Sequence, residues 1–229
     1  MNLAVMALDA RVASARILPF AVYIAFLALD PWLTAALPDF DPRWLYAARI
    51  AAVLGAMVFF RKDYSELAVA STTSRADWML ALRLGLGVFL LWIGLDFGWT
   101  VFGPQKSGFV PIAADGAMLW PLIIVRLLGA AIVVPVMEEL FWRSFIQRWI
   151  DKQDFLALAP SRVSVRALLI TSVLFGFEHG QWLAGIIAGL AYGYLYRRCN
   201  NLWPSIVSHS LTNLLLGLWV ISTGAWQFW

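Results

Sequence analysis

The sequence predicts an all-α, polytopic transmembrane bundle of about seven helices around a membrane-embedded polar cavity. Of its 229 residues, 62% are hydrophobic and only 14% are charged, against about 25% charged in soluble domains. Apolar stretches recur along the whole chain at lengths that fit bilayer-crossing helices. The ionisable groups at the inner ends of the later stretches gather in three short motifs, which is where a buried polar site is expected.

Spans are expected near residues 17–37, 44–60, 79–97, 118–140, 166–179, 182–196 and 203–221, each bounded by charge, Pro or an interfacial aromatic. The first follows Asp9, Arg11 and Arg16, and no small-residue cleavage pattern comes after the apolar run from Ile17, so a cleavable signal peptide is not expected. The fourth must run on past Arg143 toward Trp149 if its charges are to lie at depth. The fifth and sixth are short, and Gly180–Gln181 leaves hardly any loop between them, which predicts a tight helical hairpin whose turn stays away from bulk water. Gly185, Gly189 and Gly193 recur every four residues in the sixth and predict close backbone packing against a neighbour. Together these spans make residues 1–229 a single integral membrane domain, with its motif-bearing core at about 118–221.

The net charge of +3 and the pI near 9.2 do not indicate nucleic acid, because the basic residues form neither a run nor a stripe. They mark topology instead. With the N-terminus in the cytoplasm, Arg11, Arg16, Arg61, Lys62, Arg75, Arg148, Lys152, Arg162, Arg166, Arg197 and Arg198 share one side, and the opposite loops hold little beyond Arg43 and Lys106. A bacterial plasma membrane suits this pattern. The single Cys199 excludes an internal disulfide.

The motifs are Glu138-Glu139-Leu140-Phe141-Trp142-Arg143, Phe175-Gly176-Phe177-Glu178-His179 and His209-Ser210-Leu211-Thr212-Asn213, and they contain both histidines of the chain. At ~1.5 Å per residue from the basic end, Glu138 lies ~17–18 Å deep, His179 ~20 Å, His209 ~10–14 Å and Asn213 ~15–20 Å, so the groups converge near mid-bilayer. His209 and Asn213 share a helix face, as do Phe175 and His179. Glu139 precedes Arg143 by four, the favourable order for an ion pair. Glu138 and Glu139 point about 100° apart and should have different tasks, one facing the cavity and one neutralising Arg143.

Glu-Glu-x-x-x-Arg, Phe-x-x-x-His and His-x-x-x-Asn, in that order on successive helices, resemble the motifs of the CaaX-protease and bacteriocin-processing (CPBP, Abi) family, which includes the endopeptidase that trims prenylated CaaX tails. The resemblance covers residues 138–213. It implies an intramembrane endopeptidase in which Glu138 and His179 activate a water and His209 with Asn213 holds the oxyanion, while Glu139, Arg143 and Phe175 support them. Its partner would be a membrane-associated or lipid-modified protein or peptide in the lipid bilayer, cut in a cavity open toward the cytoplasm. A prenylated CaaX-type tail is one substrate class, and peptide maturation, signalling and surface-protein export in bacteria are others that the resemblance covers.

No cofactor is favoured. Zinc held by Glu138, His179 and His209 is the metal-dependent alternative, since two His and a Glu can bind a metal with an open fourth position. His-Glu-x-x-His, Gly-x-Ser-x-Gly and Gly-x-x-x-x-Gly-Lys are absent from the chain. The rival class is a non-enzymatic transporter or scaffold with a buried carboxylate and histidine relay, which would show paired half-helices and internal repeats; the sequence shows neither. Seven spans with the N-terminus inside place residue 229 outside. A reporter fused there should be active on the outer side of the membrane, and cytoplasmic activity would overturn the topology.

Overall fold

The computed structural model describes residues 3–68, 73–103 and 109–229, with side chains from residue 10 onward. Of the charges read from sequence, the side chain of Asp9 and the whole of Lys106 lie outside the described residues. The chain folds into seven principal helices: α1 Leu3–Ala36, α2 Leu45–Phe59, α3 Arg75–Gly94, α4 Trp120–Trp149, α5 Val165–Phe177, α6 Trp182–Cys199 and α7 Trp203–Thr223. Among the described residues there is no strand, only an isolated bridge between Ile112 and Met118. Four helices, α1 from Ala10, α3, α4 and α7, are long and apolar enough to cross a membrane. Their outward faces carry Leu27, Leu29, Leu86, Leu90, Ile124, Ile132 and Leu218 exposed, as expected when lipid rather than water surrounds the bundle. This is an integral membrane protein.

Helix α4 runs unbroken to Trp149, as the depth of its charges required. It spans 30 residues, or about 45 Å at 1.5 Å per residue, well beyond a ~30 Å hydrocarbon core. Two π-helical segments interrupt it, at Gly129–Val133 and Leu140–Ile146. The first has a local consequence. Val134 donates its N–H to Gly129 O, and Pro135 has no N–H to give, so the carbonyl of Ala130 is left without its helical partner.

Helices α5 and α6 form the expected hairpin. Ser164 caps α5 by accepting from Ala167 N at 3.0 Å, and the turn over residues 178–181 is closed by His179 N donating to Gly176 O at 3.1 Å. A Cβ on Gly185 would stand 2.9 Å from Gly176 Cα, and one on Gly189 would stand 2.8 Å from Ser172 Cα. Only glycine permits that approach. On the other side of the bundle α3 packs against α7, where Thr212 Oγ1 donates to Gly85 O at 2.9 Å.

The basic end holds a largely buried polar knot. Arg16 donates to both carboxylate oxygens of Glu66, at 2.6 Å to Oε2, and to Ser144 Oγ at 3.1 Å. Arg148 reaches Ser144 Oγ at 2.7 Å, and Ser144 in turn bonds Glu66. The knot ties α1, the α2–α3 connection and α4 together. Burial pushes the Glu66 carboxyl up, but the Arg16 charge and the hydrogen bonds from Arg16 and Ser144 outweigh it and hold the group below the usual glutamate range. The stabilisation is therefore present above the unfolded value of ~4.3 and lost as pH falls through the lower folded value. Glu66→Ala leaves Arg16 and Arg148 without their counter-ion and should lower unfolding stability in detergent at pH 7 by about 3–5 kcal/mol. Unchanged thermal unfolding would show that the knot contributes nothing.

Candidate active site

The first and third motifs sit on α4 and α7. The second runs off the end of α5, so that His179 lies in the α5–α6 turn and not on the helix face expected from sequence. All three aim polar groups at one space. Glu138, His179, His209 and Asn213 all line a single cavity of about 190 Å³. Glu138 and Glu139 are buried on adjacent faces of α4, and they diverge as the helical offset requires. Glu138 faces the cavity, where its Oε2 has no hydrogen-bond partner among the described residues. Glu139 faces inward and meets Arg143 Nε at 3.2 Å through Oε2.

The other oxygen of Glu139 makes a contact that the sequence does not reveal. Oε1 lies 3.0 Å from His209 Nδ1. A carboxylate only accepts, so Nδ1 of His209 carries a proton and Nε2 is the nitrogen turned toward the cavity, 3.9 Å from Glu138 Oε2. Tyr192 lies against the His209 ring, with centroids 4.8 Å apart and planes 16° from parallel. His179 is fixed in the same way by the end of α5: Nδ1 lies 2.7 Å from Phe175 O, a group that can only accept, so this ring too presents Nε2. Trp92 of α3 packs edge-on to His179 at 5.3 Å, and the Phe175 ring separates the two imidazoles, 4.7 Å from one and 6.0 Å from the other.

Arg143 binds this assembly together. Its guanidinium carbon lies 4.4 Å from the Phe175 ring centroid and 5.5 Å from that of Tyr192, and Nη2 reaches Gly189 O at 3.4 Å. Phe175 thus serves as the face on which the cation rests as well as the wall between the histidines. Asn213 donates from Nδ2 to Ala130 O at 2.9 Å, the carbonyl that the π segment and Pro135 leave free. One amide proton is thereby committed to joining α7 to α4, and the second remains for the cavity.

A family model described as Rce1-like, type II CAAX prenyl endopeptidase Rce1-like, matches residues 120–215. That stretch of the chain is similar to the Rce1-like family. Comparison with curated proteins and with solved structures gives no significant match. The match covers 96 of the 229 residues, from the start of α4 through most of α7, and holds all three motifs. Helices α1–α3 lie outside the match.

Those outlying helices nonetheless shape the site. Tyr23 from α1, Tyr46 from α2 and Trp92 from α3 line the cavity, as does Arg126 near the start of α4. The three motifs point to none of these four. Arg126 offers a signal, a lone charge six residues into an apolar helix; the aromatics offer none, since interfacial belts use the same residue types. Glu178, beside His179 in the second motif but without a role in its pattern, accepts a hydrogen bond from Trp142 Nε1 at 3.0 Å.

On the basic side the knot of Arg16, Glu66, Ser144 and Arg148 lies beneath the site. Toward the other end, Tyr23, Tyr46, Arg126 and Trp229 are shared with a second cavity of about 410 Å³, lined also by Asp30, Arg43 and Arg49. The two cavities therefore share part of their walls near the end where α1 finishes and α2 and α4 begin.

Proposed function

We propose that the protein is an intramembrane endopeptidase that hydrolyses a peptide bond of a membrane-associated or lipid-modified protein, with Glu138 as the base. The observation that carries this reading is the convergence of Glu138, His179, His209 and Asn213, all within the stretch similar to the Rce1-like family, on one cavity. A prenylated CaaX-type tail is the substrate class we favour, because the family description names a CAAX prenyl endopeptidase. A bacterial plasma membrane with the N-terminus in the cytoplasm is our proposed setting, and the charge asymmetry supports it.

In this mechanism Glu138 Oε2 accepts a proton from a water as its oxygen attacks the scissile carbonyl, and the same carboxyl then protonates the departing amine. His179 Nε2, fixed by the Nδ1 contact with Phe175 O, accepts the second hydrogen bond of that water and orients it. The oxyanion takes the free amide proton of Asn213, a neutral donor suited to that charge. His209 can add a second donor from Nε2 only as an imidazolium, and the Glu139 carboxylate beside Nδ1 supports that form. The cavity, about 190 Å³, is large enough to hold the attacking water.

Two carboxylates and an arginine with two histidines can also serve a proton relay, but the Rce1-like match supports the enzyme. Zinc on Glu138, His179 and His209 is the variant that needs separating by experiment, because imidazoles with Nδ1 held by a carbonyl or carboxylate also occur in zinc sites.

With a prenylated CaaX peptide in detergent or liposomes, wild-type protein should cleave and Glu138→Ala should not. Asn213→Ala should lower kcat by roughly two to three orders of magnitude with KM nearly unchanged. Activity should survive exhaustive chelation. Loss of activity on chelation with recovery on stoichiometric zinc, or an Asn213→Ala effect confined to KM, would overturn these roles.

A further inference from the structure

Arg126 lines both the catalytic cavity and the neighbouring one that shares its walls, Arg43 and Arg49 line the second, and the three arginines are not equivalent. Arg49 Nη2 is paired with Asp30 Oδ2 at 2.5 Å, and Arg43 Nη2 with Asp41 Oδ2 at 2.7 Å. Arg126 lines both cavities and has no carboxylate within ion-pair distance among the described residues. Residues 104–108, which lie outside them, contain no Asp or Glu. Its Nε is buried without a hydrogen-bond partner. The guanidinium carbon stands 4.3 Å from the Tyr46 ring centroid and 5.1 Å from that of Phe109. Stacking occupies the face of a guanidinium and leaves its in-plane N–H groups free, in the fork geometry that matches a carboxylate.

An uncompensated cation in an apolar helix costs several kcal/mol unless something anionic answers it. We infer that Arg126 is the receptor for the free C-terminal carboxylate of the peptide substrate, which makes the site a ruler measured from the chain end. This rests on the protease reading and adds to it a determinant of specificity. The spacing fits. Arg126 and Glu138 are twelve residues apart on α4, about 18 Å along the axis, and an extended peptide advances ~3.3–3.6 Å per residue. Allowing for the reach of the two side chains, the segment between the scissile bond and the terminal carboxylate is three to five residues. Tyr23 and Tyr46 flank the path between the two ends.

The test uses the full-length protein carrying Glu138→Gln, so that binding is read without turnover, and two probes: S-farnesyl Cys-Val-Ile-Met with a free carboxyl terminus and the same peptide as its amide. The acid should bind about ten- to a hundredfold more tightly than the amide, the range for hydrogen bonds to a charged group. Adding Arg126→Gln should abolish the difference, and Arg126→Lys should keep part of it. In the active protein, cleavage of acids with one to eight residues after the scissile bond should peak at three to five. Equal binding of acid and amide, binding of neither, or a preference that survives Arg126→Gln would overturn the receptor. The outcomes separate from those of the protease reading. Selective binding of the acid with no hydrolysis by the active protein would remove the enzyme and keep the receptor; equal cleavage of acid and amide would do the reverse.

Discussion

The site depends on one buried ion pair. Arg143 and Glu139, 2% and 0% exposed at their side chains, are four residues apart on α4, and each spends its remaining contacts on another helix. The cation rests on Phe175 of α5 and Tyr192 of α6 and reaches the backbone of Gly189. The carboxylate holds His209 of α7. Removing either partner leaves a bare charge in a medium that cannot solvate it, at a cost of about 3–5 kcal/mol. The same pair therefore fixes the packing of four helices and the orientation of a histidine that faces Glu138. Neither Arg143 nor Glu139 touches the reacting atoms in the proposed mechanism; both act by positioning.

Helix α4 makes this arrangement possible through its irregularity. A straight α-helix would satisfy every backbone group internally and offer nothing to its neighbours. The π segment at Gly129–Val133, followed by Pro135, leaves Ala130 O for Asn213, which sets α7 against α4 at the level of the cavity. The second π segment begins at Leu140, directly after the two glutamates. Such segments recur at functional sites in helical proteins because the extra residue redirects the side chains that follow it. The glycines of α6 act on the opposite flank, where close approach to Ser172 and Gly176 holds the α5–α6 hairpin and sets the depth of His179.

Much of this is legible in the sequence because axial position along a helix follows from residue number. The seven helices, the hairpin at Gly180–Gln181, the continuation of α4 to Trp149 and the different bearings of Glu138 and Glu139 all come from counting at 1.5 Å and 100° per residue. What counting cannot supply is the azimuth of one helix relative to another. The contact of His209 with Glu139 and the wall formed by Tyr23, Tyr46 and Trp92 are relations between helices distant in sequence. Arg126 and Arg49 are readable as intramembrane charges, but neither belongs to a motif that would single it out.

With only two histidines in the chain, the arrangement can be tested atom by atom. 15N-histidine NMR of the protein in detergent reports which ring nitrogen carries the proton. If Phe175 O and Glu139 orient the rings as the contacts indicate, both His179 and His209 hold a proton at Nδ1, and Glu139→Gln alters the His209 signature while leaving that of His179 in place. A ring protonated at Nε2 alone, or a His209 signature indifferent to Glu139→Gln, would contradict the central role of the Arg143–Glu139–His209 array.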